Sequence, residues 1–82
     1  MHIVIDNENR EVKVLVNPQF YSEGFVTEAL YAYSRNCWVQ MDSTANKKLL
    51  IRLKPKSSKV PLDKLGYEFY NYMLGLMQNA SN

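Results

Sequence analysis

The stretch from Leu62 to Met77 constrains this chain more than any other. It reads as a helix with too much apolar surface for one narrow stripe. At about 100° per residue, Leu62, Leu65, Phe69, Tyr72, Met73 and Leu76 share one face. Tyr67, Tyr70, Leu74 and Met77 form a second stripe beside it, leaving Lys64, Glu68, Asn71, Gly75 and Gln78 on the polar side. The apolar arc spans roughly 200°, against a little over 100° for an ordinary surface helix. A chain of 82 residues buries only about 60–65% of the surface its unfolded form exposes, so its core is small. One side of the helix must therefore lie on a sheet, and the surplus points to another protein.

The remaining elements follow from alternation and punctuation. Ile3-Val4-Ile5 and Glu11–Val16 are β-type runs around the polar link Asp6–Arg10. Val12, Val14 and Val16 alternate with Glu11, Lys13 and Leu15, as in a half-buried strand, while the first run is short enough to fray. Asn17-Pro18 stops the sheet. Asn17 and Ser22 compete as caps of a helix running to Ser34. Tyr21, Phe25, Val26, Ala29, Leu30, Ala32 and Tyr33 supply its apolar side, and Gly24 with Ala29 or Ala32 permits close approach of another element. Arg35-Asn36 ends this helix, with Asn36 suited to the left-handed conformation.

Cys37–Asp42 alternates again, placing Cys37, Val39 and Met41 on one side and Trp38, Gln40 and Asp42 on the other. Ser43–Lys47 suits a hairpin loop and Lys48–Lys54 the returning strand, with Leu49, Ile51 and Leu53 pointing inward. Pro61 opens the final helix, where its missing amide costs nothing, and residues 79–82 read as a loose tail. The order β-(β)-α-β-β-α over residues 1–82 predicts one domain of α+β class. It is a two-layer sandwich, with a small antiparallel or mixed sheet carrying both helices on one face. Strand order does not follow from the pattern. The other sheet face would carry Lys13, Trp38, Gln40, Asp42, Arg52 and Lys54.

Little here suggests catalysis. His2 is the only histidine, next to the first residue, and nothing in the pattern supplies the fixed partner of a general base or the other ligands of a metal. Cys37 follows a helix C-terminus, which disfavours a thiolate, and free cysteine is among the most buried residue types. Gly24, Gly66 and Gly75 each lie within a helical pattern, so no glycine-rich phosphate loop is present. A single cysteine, no leader-like start and no membrane-length apolar run point to a cytoplasmic protein without membrane contact, cofactor or enzymatic activity.

Binding is the better reading. Seven of the ten basic residues lie between Lys47 and Lys64, opposed there only by Asp63. This cluster suits a solubilising rim, an acidic partner or nucleic acid. Trp38 beside Arg52 and Lys54 suits stacking on single-stranded RNA, anchoring of a protein partner, or plain coverage by lysine stems or the first strand. Tyr67 and Tyr70, with Leu74 and Met77, suit a partner surface or helix–helix packing. That stripe also suits a structural homodimer.

Two stretches carry a resemblance. Asn17-Pro18-Gln19-Phe20-Tyr21, followed by Ala29-Leu30-Tyr31-Ala32-Tyr33-Ser34-Arg35-Asn36-Cys37, is one. Glu68-Phe69-Tyr70-Asn71-Tyr72-Met73-Leu74, after a hairpin ending Leu53-Lys54-Pro55-Lys56, is the other. Together they resemble the HxsD family of bacterial His-Xaa-Ser peptide-maturation systems, which also contain radical-SAM proteins. The resemblance implies a non-enzymatic accessory subunit that helps a radical-SAM maturase modify a ribosomally made precursor peptide. It assigns no catalytic residue, iron–sulfur ligand or substrate contact to this chain. An exposed sheet edge would pair with an extended precursor, and the stripe Tyr67, Tyr70, Leu74 and Met77 would dock the maturase or a second copy.

Overall fold

A computed structural model describes residues 2–80. The elements run β1 (His2–Asp6), β2 (Glu11–Val16), α1 (Glu23–Tyr33), β3 (Cys37–Ser43), β4 (Leu49–Pro55) and α2 (Leu62–Ala80). The strands form one fully antiparallel sheet in the order β1-β2-β4-β3, leaving β1 and β3 at the edges. This is the expected α+β fold, with β1 paired along its whole length to β2 rather than frayed.

Alternation sets the two faces. Val12, Val14 and Val16 are fully buried, as are Ile51 and Leu53, while the residues between them are not. Both helices cover this inner side. Phe69 and Met73 are fully enclosed, and Val26, Ala29 and Leu30 come from α1. Gly66 is the close-approach glycine: a Cβ there would stand 2.9 Å from Ile3 Cγ2 and 3.3 Å from Val12 Cγ1. Gly24 does not fill the expected role, since it is exposed with only Ser22 Oγ nearby, and Ala32 also faces solvent.

The turns differ in detail from the expectation. Asn17 shapes a turn of its own: its side-chain oxygen accepts from Gln19 N, and its carbonyl accepts from Phe20 N and Tyr21 N. Ser22 takes the N-cap position of α1 without a side-chain capping bond, so Tyr21 precedes the helix. Asn36 is not left-handed. Helix α1 ends instead on Ser34, whose hydroxyl donates to the Tyr31 carbonyl at 2.6 Å. The positive-φ non-glycine residues described are Arg10 and Lys47, one in each hairpin turn. In the first turn, Asn9 donates from its backbone and side chain to the Asp6 carboxylate, which holds that carboxyl below its ordinary range. Asn79 and Ala80 continue α2 rather than starting a tail; residues 81–82 lie outside the described residues.

One long-range anchor ties this frame together. The Arg10 guanidinium donates to the carbonyls of Ser58 and Val60 at 3.1 and 3.0 Å, and more weakly to Ser57 at 3.4 Å. The loop between β4 and α2 is thereby fixed to the first hairpin.

Candidate binding face

The helices occupy one side of the sheet, so the opposite side carries the polar residues of each alternating strand. Register puts Val4, Lys13, Arg52 and Gln40 in one row across all four strands. Lys13 and Arg52 are therefore direct cross-strand neighbours of like charge, an arrangement that costs stability unless an anion relieves it. The Arg52 Nε is shielded from solvent and has no hydrogen-bond acceptor. A buried charged donor left in this way carries a desolvation cost.

Trp38 stands opposite Lys54 in the next row and is 65% exposed. Strand β1 lies at the far edge, so it does not cover the indole. The Lys56 ammonium does approach it, 4.5 Å from the ring centroid, in cation–π geometry. Glu11, Trp38, Val39, Gln40, Arg52 and Lys54 together line a shallow depression of about 140 Å³. Pockets that enclose small molecules are typically about 300–1,000 Å³. The depression is smaller than that and is bordered by an exposed aromatic side chain. Beside it, Gln40 Nε2 donates to the Asp42 carboxylate at 2.8 Å.

The second expected surface is divided. Tyr67 is as exposed as Trp38, whereas Tyr70, Leu74 and Met77 are half-buried. Tyr70 and Met77 pack against the core, and Tyr70 meets the Tyr21 ring edge-on at 6.5 Å. A hydrogen bond with Tyr70 pushes the Tyr21 hydroxyl's pKa up. Tyr72, expected on the apolar face, is 42% exposed and joins Phe69 as an edge-on neighbour of Tyr33, at 5.8 and 5.5 Å. The structure thus brings Trp38, Arg52 and Lys54 together and keeps Tyr67 on a different element and face. Sequence reasoning missed Glu11 as a member of the depression, and it missed the exposed Phe20 and Tyr31. Cross-strand register would have found Glu11 only once the strand order was known.

Cys37 is buried, and burial pushes its thiol up, away from nucleophilic use. Among the described residues, no group of three or more His, Cys, Asp or Glu side chains is placed to hold a metal ion. No helix among them is long and apolar enough to cross a membrane.

The sequence profile of the family described as His-Xaa-Ser system protein HxsD matches residues 16–77, most of the chain. The chain belongs to the HxsD family. No curated protein and no solved structure matches it. The stretch matched to HxsD runs from the end of β2 to near the end of α2, so it includes Trp38, Arg52, Lys54 and Tyr67 but not β1, Glu11 or Lys13.

Proposed function

We propose that this HxsD-family chain is a non-enzymatic accessory subunit of a His-Xaa-Ser system, and that it binds a partner polypeptide through the open face of its sheet. The partner is the radical-SAM maturase or the precursor peptide. The observation that carries this reading is the cross-strand Lys13–Arg52 pair beside the exposed Trp38. An acidic side chain placed there neutralises two neighbouring cations. Trp38 provides the apolar anchor, with Lys54 and Lys56 as a charged rim. Glu11 lines the same depression, and one acidic side chain meets less of its repulsion than a run of phosphates does, which is why a polypeptide is preferred over RNA. Tyr67 and the half-buried Tyr70, Leu74 and Met77 offer a second docking surface on α2.

Co-elution tests the reading. The full chain is mixed with the maturase, the precursor peptide, or both, and complexes are sized by light scattering. Association that weakens in Trp38→Ala and Arg52→Gln variants supports it; no association in any mixture removes it. Salt-sensitive binding of labelled single-stranded RNA, in place of either protein, would transfer the face to nucleic acid.

A further inference from the structure

We propose that the free edge of β3 pairs with the same edge of a second copy of this chain, antiparallel and in one defined register. This goes beyond the binding role above, because it concerns a strand edge rather than the open sheet face.

Exposed edges are usually blunted by lysine, proline or a bulge. Strand β3, Cys37-Trp38-Val39-Gln40-Met41-Asp42-Ser43, contains neither lysine nor proline and pairs with β4 without a break in register. The Asn36 carbonyl accepts from Lys56 N at 2.9 Å, and Thr44 N donates to the Lys48 carbonyl at 2.8 Å. Both bonds continue the β3–β4 register at its two ends. Because the bonded positions of an antiparallel ladder alternate, Trp38, Gln40 and Asp42 direct their backbone groups to β4. Cys37, Val39, Met41 and Ser43 turn theirs to the open edge. Pro55 fits this assignment, standing opposite Cys37 where no amide is needed.

Two copies meeting edge to edge must pair outward-turned residues with one another. The register that uses the whole strand puts Gln40 opposite the partner's Gln40, on the twofold axis. Val39 then meets the partner's Met41, and Trp38 faces the partner's Asp42. Each contact is made twice, as a closed twofold interface requires. The register brings the Lys56 ammonium over Trp38 toward the partner's Asp42, the one carboxylate of β3, with Lys47 and Lys48 beyond it in the hairpin. On the inner side, the half-buried Val39 and Met41 gain apolar neighbours. Sliding the copies one way brings Lys56 toward the partner's Lys56. Sliding them the other way brings Asp42 toward the partner's Asp42.

Cysteine cross-linking of the full chain reads this register directly. Residues opposed at a non-hydrogen-bonded position have Cα atoms about 4.5 Å apart, within disulfide range. The buried Cys37 stays out of the reaction. Under mild oxidation, Gln40→Cys should form a covalent dimer at least about tenfold faster than Asn46→Cys at the hairpin tip, since pairing holds the two thiols together. By light scattering, Asp42→Lys should lose the dimer and Asp42→Lys with Lys56→Glu should regain it, with circular dichroism confirming that each variant is folded. A chain monomeric up to about 1 mM, with Gln40→Cys no faster than Asn46→Cys, would overturn the proposal. So would a dimer that cross-links fastest through Leu74→Cys on α2. A monomer whose β3 amides become protected only when precursor peptide is added would give the edge to the peptide and also overturn self-pairing.

Discussion

Gly66 of α2 lies against Ile3 of β1 so closely that a single added carbon would stand 2.9 Å from Ile3 Cγ2. That atom sits on a β-branched side chain, which has little freedom to turn aside. Gly75, two and a half turns further along the same helix, has nothing within 4 Å of the equivalent position. The same substitution therefore has opposite signs at the two sites. Gly75→Ala should stabilise the protein by about 0.5–1 kcal/mol through helix propensity. Gly66→Ala gains that term but overpacks the contact between α2 and β1, at a cost of about 1–3 kcal/mol. Urea denaturation midpoints of the two variants check the difference in sign.

Arg10 should make separable backbone and side-chain contributions. Its guanidinium holds the loop carbonyls of Ser58 and Val60, while its φ of 54° strains any residue with a Cβ. Arg10→Ala should lower stability by about 1 kcal/mol and speed amide exchange in residues 57–60. Arg10→Gly should lose the same anchor but recover about 1 kcal/mol of strain, leaving it more stable than the alanine variant. Hydrogen exchange on both variants reads the loop, and thermal unfolding reads the strain.

Burial raises the pKa of the Cys37 thiol, and burial is also the main reason the Tyr33 hydroxyl is raised. A raised folded-state value means the native state holds its proton where the unfolded chain has released it. The resulting stability is complete below the unfolded thiol value of about 8.5 and is lost as pH climbs through the folded value. The urea midpoint should therefore fall between pH 7.5 and 9.5. Cys37→Ala, although less stable overall, should show a flatter dependence across that interval.

Much of the fold was legible because one rule governs it. Val12, Val14 and Val16, then Cys37, Val39 and Met41, then Leu49, Ile51 and Leu53 repeat every second residue, which fixed the inner face and turned Trp38 outward. What escaped depends on contacts between residues distant in the chain. Arg10 reads as an ordinary charged turn residue, and nothing local announces that it reaches the carbonyls of Ser58 and Val60. Gly24 and Gly66 look alike in sequence, but only Gly66 faces a strand. Glu11 joins Trp38 across the sheet because β4 separates β2 from β3, an order that periodicity does not contain. Asn36 was a reasonable helix terminator, yet the Ser34 hydroxyl ends the helix first.

Trp38→Ala should leave folding nearly untouched, because most of the indole is in solvent and surface substitutions usually change stability by no more than about 0.5 kcal/mol. Lys56→Met should change the tryptophan emission, since it removes the ammonium 4.5 Å from the ring centroid. Thermal unfolding of Trp38→Ala and the tryptophan fluorescence spectrum of Lys56→Met separate a binding residue from a structural one.

The open sheet face is proposed to bind a partner polypeptide of the His-Xaa-Ser system. Light scattering coupled to size exclusion tests it most directly, on the wild-type chain and on Trp38→Ala, each mixed with the maturase and the precursor peptide. A stable mixed complex is expected for the wild type, and at least about a tenfold weaker one when the anchor is removed. Wild-type chain that elutes apart from both partners, or a complex that Trp38→Ala leaves unchanged, would contradict it.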